Sequence, residues 1–279
     1  MSDRSAFAAF QPCIEAIVRE AGAIALEFFR HDAPTSARVS HKTCGSPVTE
    51  ADLRVDRFLH DQLYALAPEI GWLSEESADS SERLEKEALF VVDPIDGTRG
   101  FAAGDPCFAV CVALVVGGRP VIGVVRAPAL DETFVATAGG GARRNGVDIR
   151  VSDRRDLSGA RISAPESMAA DLRRSGLSFT QQPRLPSLAM RLLRVANGDF
   201  DGALSRANAY DWDIAAADLI LREAGGALTD FSGRAPLYNR AEPKHPALAA
   251  GPPGLQADLI RAAKEGAAMA RPKRAAQGM

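Results

Sequence analysis

The 279-residue sequence predicts an α+β first half followed by an α/β second half. Three observations carry this expectation. The chain opens with apolar residues at helical spacing, and its middle holds apolar runs broken by glycine-rich turns. From Val151 onward, strand-like and helix-like segments alternate.

Each element has its own justification. Ile14, Ile17, Val18, Ala21, Ala25 and Phe28 form the apolar stripe of a first helix. Residues 31–46 read as a polar loop. Thr49 suits an N-cap, and the helix it opens carries Leu53, Phe58, Leu59, Leu63 and Leu66 on one side before Pro68 closes it. Leu89 to Val92 is a buried strand. Residues 108–116 and 120–125 flank Gly117-Gly118 as a hairpin, and 133–137 is a further strand before Gly139-Gly140-Gly141. In the second half, 160–163 and 227–230 read as strands, and 187–197 and 212–224 as helices. The expected division is 1–150, 151–265 and a disordered tail at 266–279, whose Arg271, Lys273 and Arg274 read as solvated charges. No internal repeat is present.

Composition narrows the function classes. The chain is 46% hydrophobic and 25% charged, with a net charge of −3, which suits a sizeable core and gives no basic excess for nucleic acid. The start, Met1-Ser2-Asp3-Arg4-Ser5, lacks a signal-peptide layout, and no apolar run approaches the roughly 20 residues that span a bilayer. The expectations are therefore a cytoplasmic location, no membrane and no nucleic-acid partner. The four cysteines, Cys13, Cys44, Cys107 and Cys111, show no zinc-like pairing. Cys107 and Cys111 alternate with apolar residues and read as core thiols. Cys44, in the loop before Asp52, reads as structural, with redox sensing as the alternative.

The chemistry concentrates at Asp93-Pro94-Ile95-Asp96-Gly97-Thr98. Pro94 biases Asp93 toward extended backbone at the strand's end, and Gly97 permits a tight turn. Two carboxylates this close repel unless a cation lies between them, and oxygen ligands suit Mg²⁺ or Mn²⁺. Amide groups after Gly97 suit an anion beside the cation. On its own the hexapeptide also fits a solvated turn.

Three further segments stand in register with it: Gly45-Ser46-Pro47-Val48-Thr49-Glu50-Ala51-Asp52, Trp72-Leu73-Ser74-Glu75-Glu76-Ser77, and Asp211-Trp212-Asp213 followed by Glu223-Ala224-Gly225-Gly226. Together the four resemble the inositol monophosphatase superfamily of lithium-sensitive, Mg²⁺-dependent phosphatases, from about Ile14 to Ala250. The resemblance implies a layered αβαβα sandwich and a phosphomonoesterase with two or three Mg²⁺ ions. It implies Glu75, Asp93, the Ile95 carbonyl, Asp96 and Asp213 as metal ligands. Asp52 and Thr98 would activate the attacking water, with Glu75 at the catalytic centre. Gly97 and Thr98 would contact the phosphate, and Lys42 would match substrate charge. Read alone, Asp213 and Asp52 are helix N-terminal charges, Thr98 is a cap and Lys42 a surface lysine. Glu76 is either a support for the site or a surface charge.

Substrate choice rests on two arginines. Arg206 stands where inositol monophosphatases carry a glutamate that grips hydroxyls, and Arg191 where the bisphosphate nucleotidase branch carries a phosphate-binding lysine. Guanidinium suits a second phosphate better than a polyol; read alone, Arg191 and Arg206 are exposed helix and strand-end charges. Together with Leu73-Ser74-Glu75-Glu76, this resembles the 3′(2′),5′-bisphosphate nucleotidases, which implies 3′-phosphoadenosine 5′-phosphate as substrate. Arg99-Gly100-Phe101 and Ala217 depart from that branch. The alternatives are an inositol-1-monophosphatase, a histidinol-phosphatase, or a phosphatase-like binding protein without turnover. The expected partner is a small phosphate ester, and a homodimer is compatible with the resemblance.

Overall fold

The computed structural model describes residues 7–42 and 45–270. Expectations for Met1 to Ser5, Cys44, Arg271, Lys273 and Arg274 therefore fall outside the described residues. Helix α1 (Gln11–Phe28) buries Ile14, Val18, Ala21 and Ala25. Strands β1 (Val39–His41) and β2 (Pro47–Thr49) pair antiparallel. This corrects the expectation of a continuous loop, because all three residues of β1 are exposed and no apolar alternation marks them. Helix α2 (Glu50–Leu66) starts at Thr49 through a capping box with Asp52.

A seven-stranded sheet follows. It comprises β3 (Gly71–Ser74), β4 (Ala88–Asp96), β5 (Ala109–Val116), β6 (Arg119–Ala127), β7 (Glu132–Thr137), β8 (Ala142–Arg144) and β9 (Val147–Asp148), in chain order. Only β3 and β4 run parallel. Short helix α3 (Thr98–Ala103) leaves the end of β4. Pairing of β4 with β5 slips between Asp93, opposite Cys111, and Asp96, opposite Ala109, so β4 spends one extra residue there.

The second sheet is built from β10 (Ala160–Ser163), β11 (Phe179–Gln181), β12 (Gly202–Ser205), β14 (Ala227–Asp230) and β16 (Leu248–Gly251), in the order β11-β10-β12-β16-β14. Helices α4 (Glu166–Arg174), α5 (Leu188–Ala196), α6 (Asp211–Glu223) and α7 (Pro253–Ala270) connect or flank it. Strands β13 (Ala209–Tyr210) and β15 (Lys244–His245) pair apart from both sheets.

The layers follow from burial. Helices α1 and α2 cover one face of the first sheet, α5 and α6 lie between the sheets, and α4 and α7 cover the far side. The molecule is the expected αβαβα sandwich. Both faces of β5 are covered, which explains its unbroken apolar sequence: Val110, Val112 and Leu114 enter the α1/α2 core, while Cys111, Ala113 and Val115 enter the α5/α6 core. At Gly123 a Cβ would lie 2.6 Å from the Ala216 carbonyl, so glycine permits the close seat of α6 on β6.

Residues 266–270, expected in the tail, instead form the end of α7. Leu255, Leu259, Ala263 and Gly266 recur on its buried side, and Gly266 abuts the Asp171 backbone. Alanine and glycine make this stripe faint in sequence.

Candidate active site

Glu75, Asp93 and Asp213 converge. Each offers a carboxylate oxygen within 4.8 Å of the others. Glu75 follows β3, Asp93 lies at the β4 irregularity, and Asp213 occupies the first turn of α6. The three line a cavity of about 570 Å³ with Asp96, Gly97, Thr98, Arg99 and Arg184.

The electrostatics call for a cation. Asp93 is 1% exposed, and its Oδ2 is buried without a hydrogen-bond partner among the described residues. Burial, then the charges of Glu75, Asp96 and Asp213, push its carboxyl well above the usual range. Burial, then Asp96, does the same to Asp213. Such a set is unfavourable by itself and suits a hard divalent cation with oxygen ligands. The donor set therefore fits Mg²⁺.

Asp96 is placed differently from the other three acids. Its Oδ2 accepts from the Ser187 hydroxyl at 2.5 Å and the Ala189 amide at 2.7 Å, and its Oδ1 accepts from the Leu188 amide at 3.2 Å. It thus caps α5 while lining the cavity. Burial raises its pKa, and these hydrogen bonds oppose the rise.

The structure brings Asp52 and Thr98 together. The Thr98 hydroxyl lies 3.0 Å from Asp52 Oδ1 and 2.9 Å from the Ile95 carbonyl, either of which can take its single proton. Asp52 Oδ2 is held by the Thr49 amide at 2.8 Å and the Thr49 hydroxyl at 2.5 Å. With its proton committed, the threonine oxygen retains a lone pair for a water. The helix-cap and catalytic readings of Asp52 are thus compatible. Gly97, at φ 96°, opens α3 and, with Thr98, faces the cavity.

Lys42 reaches the acids and not the arginines. Its Nζ lies 2.8 Å from both Glu75 Oε1 and Glu76 Oε1. Burial pushes the Glu76 carboxyl up to about 7 despite this lysine.

Arg191 and Arg206 line an adjoining cavity of about 260 Å³ together with Arg184. Sequence reading missed Arg184, which faces both cavities. Its loop position before α5 carries no periodic signal. Among the described residues none of these three guanidiniums pairs with a carboxylate. Arg191 Nε reaches the Ser187 carbonyl at 3.4 Å, and Arg206 Nη2 reaches the Ser167 hydroxyl at 3.1 Å. Burial lowers the Arg191 pKa, Asp96 opposes this, and Arg184 adds to it. A second missed residue is Asp56, one helical turn beyond Asp52. It accepts from the Ser74 hydroxyl, and from the Ser77 hydroxyl at 2.7 Å, so it braces the loop that carries Glu75. Its four-residue spacing from Asp52 was the available signal.

This geometry agrees with the comparisons. The inositol monophosphatase family model matches residues 9–268. The chain belongs to that family. It is 34% identical over 216 residues to the 3′(2′),5′-bisphosphate nucleotidase CysQ of Aggregatibacter actinomycetemcomitans, covering 74% of this chain and 80% of that protein. It is 33% identical over 237 residues to the inositol-1-monophosphatase of Mesorhizobium japonicum, covering 82% and 86% respectively. The crystal structure of the extragenic suppressor protein suhB from Bartonella henselae superposes with a TM-score of 0.77 at 31% identity, over 90% of this chain and 96% of that one. The chain is accordingly a metal-dependent phosphoric monoester hydrolase of this family. No helix of the described residues is long and apolar enough to cross a membrane.

Proposed function

We propose that the chain is a 3′(2′),5′-bisphosphate nucleotidase that hydrolyses 3′-phosphoadenosine 5′-phosphate to AMP and phosphate. The observation that carries this reading is the cluster of Arg184, Arg191 and Arg206 without carboxylate partners, beside the acid cavity. Arg191 is partly buried while Arg184 and Arg206 are exposed, and three gathered guanidiniums favour an anion, phosphate above all. A substrate with two phosphates would occupy both cavities: one at the acids for cleavage, one at the arginines for grip.

In this reading Glu75, Asp93, Asp213 and Asp96, with the Ile95 carbonyl, hold Mg²⁺, Mn²⁺ being the other candidate. The ions supply charge neutralisation for the phosphate oxygens and acidify water. Thr98, held by Asp52, accepts a hydrogen bond from the attacking water and orients it toward phosphorus. Backbone amides at Gly97 and Thr98 face the phosphate. Lys42 balances the charge of Glu75 and Glu76 in the free enzyme. Location in the cytoplasm belongs to the same reading.

The second reading is an inositol-1-monophosphatase, favoured by the comparable identity to the Mesorhizobium protein. A substrate panel of adenosine 3′,5′-bisphosphate, inositol 1-phosphate, histidinol phosphate and fructose 1,6-bisphosphate tests the choice. The nucleotide should give the highest kcat/KM. A preference for inositol 1-phosphate would sink the nucleotidase reading and leave the phosphatase assignment intact. Absence of phosphate release with any ester would instead favour a binding protein.

A further inference from the structure

A line of partly buried polar contacts joins the segment after Glu75 to the segment before Asp213. Arg83 lies in the 3₁₀ turn Ser81–Glu85 and is 3% exposed. Its Nε and Nη2 donate to the two oxygens of Asp79, at 2.6 and 2.9 Å. Its Nη1 donates to Asn239 Oδ1 at 2.7 Å and to the Arg240 carbonyl at 3.1 Å. Asn239 Nδ2 donates back to the Arg83 carbonyl at 3.1 Å. The Asn239 amide then donates to Asp211 Oδ2 at 2.8 Å, and Asp211 Oδ1 lies 2.7 Å from His245 Nε2. Asp211 is fully buried at the start of α6, two residues before Asp213.

This line spans a place under electrostatic load. Glu75 and Asp93 come from the first sheet, Asp213 from the helix layer between the sheets, and their carboxylates repel within 4.8 Å. Withdrawal of the α6 N-terminus would relieve that repulsion. The Arg83–Asn239–Asp211 contacts oppose it, because the 239 loop is tied to both sides. A ligand set held at closing distance binds a cation more tightly than one that must be gathered. Groups bonded directly to metal ligands typically change affinity 10–100-fold, and Asn239 acts one step further back, through Asp211, which places its effect at the low end of that range.

We propose that Arg83 and Asn239 are positioning residues that hold Asp213 against Glu75 and Asp93 and thereby set divalent-cation affinity. The proposal rests on the reading of these acids as the metal site.

Asn239→Gly gives the cleanest test. Asn239 has φ 57°, which glycine adopts without strain, and the substitution keeps the amide bonded to Asp211 while deleting both side-chain contacts with Arg83 and leaving only the Arg83 bond to the Arg240 carbonyl. Metal-free full-length protein is titrated with MgCl₂ alone by calorimetry, and metal-free melting curves are recorded in parallel. Asn239→Gly should weaken Mg²⁺ binding about tenfold. Arg83→Lys, which keeps the charge but loses the fork, should weaken it less than Arg83→Met. The metal-free melting temperatures of Asn239→Gly and wild type should stay close. Steady-state assays should show a raised Mg²⁺ requirement with kcat nearly restored at saturating Mg²⁺. Wild-type affinity in Asn239→Gly would overturn the proposal, whether or not the melting temperature falls. Wild type that binds Mg²⁺ no better than Asp93→Asn would overturn the metal-site reading itself, and this proposal with it.

Discussion

Ser187 donates its hydroxyl to Asp96 Oδ2 at 2.5 Å, so a carboxylate at the end of β4 caps a helix of the middle layer. Asp96 therefore serves α5 as well as the acid cavity. The helix it caps also carries Arg191, one turn beyond Ser187.

Asp93 and Asp96 should accordingly differ in stability while agreeing in activity. Each Asn variant should lose at least about a hundredfold in kcat/KM, the scale of removing a key electrostatic group. Asp96→Asn weakens the cap of α5 and should cost about 1 kcal/mol of stability. Asp93→Asn removes a buried, repelled carboxylate and should leave the metal-free protein at least as stable as wild type. Urea melts in EDTA separate the two, and equal destabilisation would contradict this account.

Thr98→Val keeps the shape of Thr98 and deletes the hydroxyl held between Asp52 and Ile95. A fall in kcat of about a hundredfold or more is expected, with KM little changed. A purely raised KM would move Thr98 from water activation to substrate binding.

The arginine cavity should read the second phosphate. A charge-assisted phosphate contact contributes roughly 1.5–3 kcal/mol. Arg206→Ala and Arg184→Gln should therefore lower kcat/KM for the adenosine bisphosphate by about one to two powers of ten, and for a simple monophosphate ester far less. Both substrates are measured on the same folded variants. Equal losses on both would remove these arginines from specificity.

Thiol chemistry should follow burial. Burial pushes the Cys107 thiol up to about 12 and raises Cys111 well above its usual range, and both are buried. Since the thiolate is the reactive form, neither should label at pH 8 in the native protein, whereas exposed Cys13 should. Mass spectrometry of iodoacetamide adducts before and after unfolding checks this. Labelling of Cys111 without unfolding would contradict its place in the core.

Asp230 supplies a pH dependence. Burial opposes its ionisation, but hydrogen bonds from Ser232 and Arg234 outweigh that and hold its pKa at about 2, below its ordinary 3.8. Its folded-state pKa is depressed, so the stability it lends is full above the unfolded value and lost as pH falls through about 2. Wild type should exceed Asp230→Asn in melting temperature at pH 6, and the gap should close between pH 4 and pH 2. A gap independent of pH would mean that the charge is not what Asp230 contributes.

What was legible in the sequence follows from range. The Thr49 cap is legible because it acts on near neighbours, and the Asp93–Thr98 hexapeptide because three further segments stand in register with it. The apolar runs of β4 and β5 announce burial on both faces. Arg184 and Arg83 were silent, since each acquires its meaning from contacts with segments distant in sequence. The end of α7 was hidden by its composition, where glycine and alanine fill a close helix contact that larger side chains would signal. The second engagement of Asp96 was invisible for a related reason: nothing near it in sequence names Ser187.

The extra residue in β4 has a consequence for how this active site came to be compatible with its sheet. Between Asp93 and Asp96 three steps along β4 match two along β5. A regular ladder would keep strict alternation, sending neighbouring side chains to opposite faces and closing every backbone pair. The interruption releases the chain from that alternation where both carboxylates must meet one cavity. Deleting one residue there would make the sheet more uniform and the enzyme inert. The candidate site lies where β4 departs from its regular pairing with β5.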